Sequence, residues 1–184
     1  MLKKIRNSLT QYNLDALRIG LLVVGLYRLI GIRFGQPVSD FSNIRYFNSS
    51  EFDSPDLVGS GLKMVKNVVE LVDNIRHEMR QPMIINSGFR TEEHNKKLIQ
   101  LYGASPNSSH KYGLAVDIHC PSLEYMRELI YSLRKRGVKR IGQYISERGN
   151  LFVHADLDTK KTYQGEWCKI RGQKIVDKKG WLVP

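Results

Sequence analysis

At 184 residues, 41% hydrophobic and 26% charged, the chain has the composition of an ordinary globular protein and is long enough to bury a core, so one domain with a short appendage is expected. Twenty-nine lysines and arginines against 18 acids give a net charge of +11, a field that draws polyanions such as nucleic acid, anionic lipid or acidic cell-wall polymers. No DNA- or RNA-reading motif accompanies that charge, so no specific nucleic-acid partner is expected, and two cysteines, Cys120 and Cys168, exclude a disulfide framework and a zinc knuckle.

Residues 1–38 differ from the rest. Lys3, Lys4, Arg6, Arg18, Arg28 and Arg33 stand against the single acid Asp15, and Ile19 to Tyr27 form an uncharged apolar run too short to span a bilayer. The basic start resembles a secretory signal, but no small-residue cleavage pattern follows. Two readings stay open: a docking arm that buries its apolar run against a partner subunit or a membrane surface, or an extra helix packed on its own domain.

From Ser39 the text reads as a domain. Leu62, Val65, Val68, Val69, Val72, Ile75 and Met79 recur at helical spacing, and Pro82 ends that helix. Met83 to Asn86 predicts a short strand running into Ser87-Gly88-Phe89-Arg90. Thr91 to Leu101 predicts a short helix, followed by a turn-rich loop from Gly103 to Ser109. Leu114 to Ile118 predicts a second strand, Leu123 to Leu133 another amphipathic helix, and 140–145 and 151–157 two strands joined by the polar loop Ser146 to Asn150. Helices before and between short strands, without regular alternation, predict an α+β class with a small antiparallel sheet flanked by helices. Cys120 and Cys168 are expected to be free and packed as small apolar residues.

Chemistry concentrates in Ser108-Ser109-His110-Lys111-Tyr112-Gly113-Leu114-Ala115-Val116-Asp117 and in Phe152-Val153-His154-Ala155-Asp156. Two imidazoles and a carboxylate are the ligand set of a catalytic zinc site that keeps one position open. His110, Asp117 and His154 come from a loop and two strands, supports from which three side chains can converge. The cofactor expected is therefore Zn2+.

This ordered set, together with Glu51-Phe52-Asp53-Ser54-Pro55-Asp56, Ser87-Gly88-Phe89-Arg90, Glu93-His94-Asn95 and Ile141-Gly142-Gln143-Tyr144, resembles the zinc D-alanyl-D-alanine carboxypeptidase and L,D-endopeptidase family. That family includes VanX-like dipeptidases and phage endolysins, and the likeness runs from about Phe41 to Trp167. The resemblance implies a Hedgehog/DD-peptidase fold, peptidoglycan as substrate and partner, and a phage virion or the bacterial cell envelope as location. It implies His110, Asp117 and His154 as metal ligands, Arg90 as the arginine that orients substrate and stabilises negative charge, and Ser108 as a residue that binds substrate or fixes the loop. Asp156 is implied as a carboxylate that orients a histidine ligand. The family's general base lies three residues before the second histidine, where this chain has Leu151. Glu147, Asp156 and His119 are the candidates to replace it, and a virion component with reduced or no activity is the alternative to an enzyme.

Overall fold

The computed structural model describes residues 36–38, 40–175 and 181–183. Residues 1–35, which hold most of the expected arm, lie outside the described residues. Gln36 to Val38, read in sequence as the end of that arm, pair with the domain: the Val38 amide donates to the Met64 carbonyl at 2.8 Å, the Lys66 amide to the Gln36 carbonyl at 3.0 Å, and Val38 is buried in the core.

Among the described residues three helices and six strands follow. Helix α1 (Lys66–Met79) begins later than its apolar stripe suggests, because Ser60–Lys63 form a separate 3-10 turn. The left-handed Arg80 ends it, two residues before Pro82. Strand β1 (Ile85–Ser87) leads to α2 (Glu92–Tyr102), capped by the Thr91 hydroxyl accepting from the His94 amide and closed by the left-handed Gly103. A 3-10 turn at Ser109–Tyr112 precedes β2 (Ala115–Cys120). Helix α3 (Leu123–Lys135), capped by Ser122, then leads to β3 (Arg140–Ile145), β4 (Leu151–Asp156), β5 (Trp167–Ile170) and β6 (Gln173–Ile175).

The class is α+β, as expected. The strands form one sheet in the order β1-β2-β4-β3-β5-β6, antiparallel except that β5 runs parallel to β3. The sequence reading missed β5 and β6, so the sheet is mixed where a purely antiparallel one was expected. Their hairpin turns on Arg171 and Gly172, both at positive φ, the backbone a two-residue turn requires.

Strand alternation divides this sheet into two faces. Val116, Ile118, Val153, Ala155, Ile141 and Cys168 are buried on one face, against which α3 packs through Met126, Leu129, Ile130 and Leu133, with Val68, Val69, Val72 and Ile75 of α1 completing the core. Each of the valine, leucine, isoleucine and methionine side chains among them contributes roughly 1.5–3 kcal/mol of burial. Cys120 and Cys168 are free and buried on this face, as read from sequence. Buried Gln143, also on it, holds the C-terminal segment by donating to the Val183 carbonyl at 2.6 Å and accepting from the Val183 amide at 2.8 Å. Among the described residues no helix is long and apolar enough to cross a membrane.

Candidate metal centre

The opposite face carries the polar residues. Cross-strand register aligns Ser87, Asp117, His154, Gly142 and Trp167 in one row from β1 to β5. The neighbouring rows are His119, Phe152, Tyr144 and Lys169 on one side and Ala115, Asp156 and Arg140 on the other.

His110 reaches the central row from the 3-10 turn that precedes β2. Two glycines make that approach possible. Gly113 is left-handed and packs so closely on the backbone of Lys63 that a Cβ would lie 2.4 Å from the Lys63 carbonyl oxygen. Gly88 lies against Phe52, where a Cβ would fall 2.7 Å from backbone atoms, and its carbonyl accepts a hydrogen bond from His110 Nδ1 at 2.7 Å. That bond places the ring proton on Nδ1 and turns the Nε2 lone pair toward the centre.

Three donor atoms converge there. His110 Nε2 lies 3.3 Å from His154 Nδ1 and 3.4 Å from Asp117 Oδ1, while His154 Nδ1 lies 2.7 Å from Asp117 Oδ1. A tetrahedral zinc with bonds of about 2.0–2.1 Å sets its ligand atoms about 3.3 Å apart. Two of the three edges already have that length, and the third needs only the direct hydrogen bond to open by about half an ångström. Two nitrogens and one carboxylate oxygen, mutually close and on supports buried in the fold, fit a zinc ion. His110, Asp117 and His154 are the residues that would hold it.

The electrostatics match that donor set. Burial, aided by the Arg90 charge, lowers the His110 pKa below its ordinary value, so the ring is neutral as a ligand must be. For Asp117 burial alone would raise the pKa, but the two histidines and Arg90 hold it well below the usual carboxylate range. Burial opposes charge on His154 as well, yet hydrogen bonds and charges from Asp117 and Asp156 raise its pKa to about 8.

Around the ligands stands a second set of residues. Arg90 donates from Nη2 to Asp117 Oδ2 and from Nε to Ser87 Oγ at 2.9 Å. It therefore grips the outer oxygen of Asp117 while also lining an open cleft of about 320 Å³ over β1 and β2. Glu51, Asp53, Ser87, His94 and Phe152 line the same cleft. Ser108 is buried immediately before the ligand turn, and its carbonyl accepts from the Lys111 amide at 3.2 Å.

Two sequence candidates for a base change meaning. Asp156 is buried behind His154, with Oδ2 3.6 Å from His154 Nε2. It accepts from Arg140 Nε and Ser109 Oγ at 2.9 Å and from the Asp158 amide at 2.8 Å. Both oxygens accept hydrogen bonds, and these with the His154 and Arg140 charges lower its pKa to about 2, burial notwithstanding, the setting of a carboxylate that stays ionised behind a histidine. Glu147 sits exposed in the β3–β4 turn, before Leu151, which is itself roughly 10 Å of strand from His154; the structure does not bring Glu147 to the centre. His119 lies one row away from Asp117 on β2, beside Phe152. Leu151, an odd number of residues from His154, faces the hydrophobic core with Cys120 and Ile145.

The sequence reading gave no role to Ser109, Arg140, Tyr144 or Trp167. Ser109 and Arg140 hold Asp156, and the Trp167 ring centroid is 5.6 Å from that of His154. Alternation along β3 and β5, had β5 been recognised, places Arg140, Tyr144 and Trp167 on the metal face. Burial pushes the Tyr144 phenol up to about 12.

The family model described as Peptidase M15 matches residues 45–156, a stretch that holds all three donors, Arg90 and the cleft. No curated protein matches the chain.

Proposed function

Because the chain belongs to the peptidase M15 family, we propose that it is a zinc peptidase that hydrolyses amide bonds in peptidoglycan stem peptides or cross-bridges, in a phage particle or at the bacterial cell envelope. The observation that carries the reading is the convergence of His110 Nε2, His154 Nδ1 and Asp117 Oδ1, two of whose three separations already have the spacing of tetrahedral zinc ligands. A zinc ion in such a donor set polarises a carbonyl and makes water acidic enough to attack it near neutral pH.

The protein's own residues prepare that chemistry. The Gly88 carbonyl accepts the His110 Nδ1 hydrogen, and the Asp156 carboxylate stands 3.6 Å from His154 Nε2, an arrangement that favours the proton on that nitrogen and leaves Nδ1 to face the centre. Arg90 fixes Asp117 from the cleft side and presents positive charge to a bound peptide's carbonyl or terminal carboxylate. The cleft beside Arg90, with Glu51, Asp53, His94 and Phe152 on its walls, has room for a short stem peptide. The net charge of +11 favours adhesion to an anionic wall.

The test is release of peptides from purified peptidoglycan by the zinc-loaded protein, followed by chromatography and mass spectrometry. His154→Ala is expected to lower release at least about 100-fold, the scale on which losing one preorganised electrostatic contact acts. No release by the wild type, or equal release by the variant, overturns the proposal. A second reading, a virion component that keeps the fold and the metal, is favoured by one observation: the position before His154 where a base is expected carries Leu151, which faces the core. Zinc binding without peptide release would support it.

A further inference from the structure

On the side of His154 away from Arg90 the metal face is walled by aromatics whose arrangement is more constrained than packing requires. Tyr144 lies one row from the ligands, but its ring leans back over Gly142, the residue paired with His154. A Cβ at Gly142 would fall 2.6 Å from Tyr144 Cε2 and 2.7 Å from Trp167 Nε1. The absence of a side chain there is what lets both rings reach the ligand row. On its other side the Tyr144 ring stacks on Phe152, centroids 4.5 Å apart and planes within 7°, and Phe152 in turn lines the cleft.

The hydroxyl is held as well. Trp167 Nε1 donates to the Tyr144 oxygen at 2.7 Å, and since an indole nitrogen can only donate, the phenol hydrogen points elsewhere. No acceptor among the described residues takes that hydrogen. A half-buried O–H fixed by a stack and an indole beside a cluster of metal-ligand atoms, yet with no acceptor for its proton, is a preorganised donor. Arg90 is committed through Nη2 to Asp117 and through Nε to Ser87, on the opposite side of the row.

We propose that Tyr144 is a catalytic residue whose phenol O–H donates a hydrogen bond to the scissile carbonyl oxygen as that oxygen gains negative charge. The bond is strongest when the carbon is tetrahedral, and no proton need leave the phenol. Gly142, Phe152 and Trp167 are the residues that position it. The inference rests on the peptidase reading and adds to it a donor on the β3 side, so that a carbonyl over the centre meets Arg90 from one flank and Tyr144 from the other.

The experiment compares the zinc-loaded wild type with Tyr144→Phe, after equal zinc content and equal melting temperature have been established. The first readout needs no turnover: calorimetric binding of a phosphinate isostere of an alanyl-alanine peptide, a charged tetrahedral probe, beside the unmodified dipeptide. The variant is expected to bind the phosphinate at least 10-fold more weakly and the dipeptide within 2-fold. Where the wild type hydrolyses peptidoglycan peptides, kcat is expected to fall about 100-fold with KM within about 3-fold. Equal phosphinate affinity, no phosphinate binding by the wild type, or loss of zinc from the variant overturns the assignment. Tyr144-dependent phosphinate binding without peptide release by the wild type leaves the donor standing and sinks the peptidase reading instead.

Discussion

His154 is asked to do two incompatible things, and pH decides between them. It stands between Asp117 and Asp156, 2.7 Å from one and 3.6 Å from the other, and those carboxylates outweigh burial and raise its pKa to about 8. The folded pKa lies above the ordinary value of about 6.5, so the stabilisation by the charged ring is fully present below about 6.5 and is lost as pH rises through 8. As a ligand the ring must be neutral, with its one proton on Nε2. Zinc uptake near pH 7 is therefore expected to expel about one proton, and zinc affinity to fall about 10-fold per pH unit well below 8. Titrations between pH 6 and 9, in buffers of different ionisation enthalpy, measure both quantities. Asp156→Asn is expected to move the midpoint down and to weaken zinc 10- to 100-fold. A midpoint near 6.5 in the wild type, or a variant indistinguishable from it, contradicts this account of Asp156.

Strand parity explains why Leu151 is not simply a missing acid. In β4 the residues at 152, 154 and 156 share the metal face, whereas 151, 153 and 155 face the helices. A carboxylate restored at 151 would enter the layer formed with Cys120 and Ile145 and remain about 10 Å of strand from the centre. Leu151→Glu is accordingly expected to cost about 2 kcal/mol of stability by setting a polar group among apolar ones, seen as a lower denaturation midpoint, and to give no gain in peptide release. A rise in activity would show that β4 does not hold this register. The same parity separates what was legible in the sequence from what was not. The helices α1 and α3 and the strands β2, β3 and β4 were readable because each buries a long periodic face. Histidine and aspartate at 110, 117 and 154 were readable because a ligand set is defined by residue type. Strands β5 and β6 are short and lysine-bearing, and their hairpin depends on positive φ at Arg171 as well as Gly172, which a propensity reading assigns to loop. Trp167 was hidden with them, and with it the partner that fixes Tyr144, whose own strand β3 was readable. The distance of Glu147 from the centre has another origin: a charge in the turn that precedes a strand is near the strand's functional residue in sequence and far from it in space.

At the scale of the molecule, the three donors fasten together parts of the chain that contact order keeps apart. His110 belongs to the turn that follows α2, Asp117 to β2 and His154 to β4, with α3 and β3 between the last two. The carboxylate of Asp117 contacts Arg90, His110 and His154, and the two imidazoles meet each other at 3.3 Å, so this face of the sheet is held by a few buried polar contacts. An ion that binds the folded chain and not the unfolded one adds stability by mass action, about 2.7 kcal/mol at a free concentration 100-fold above Kd. For a chain of this size roughly 2–4 °C accompanies each kcal/mol, so zinc at that excess is expected to raise Tm by roughly 5–10 °C over chelator-treated protein. His110→Ala removes one donor while leaving the core face intact, and is expected to abolish most of that increment. Thermal unfolding of both proteins with zinc and with chelator is the measurement. An unchanged wild-type Tm, or a His110→Ala variant that gains as much from zinc as the wild type, would mean that the convergence of these three side chains serves the fold without holding a metal.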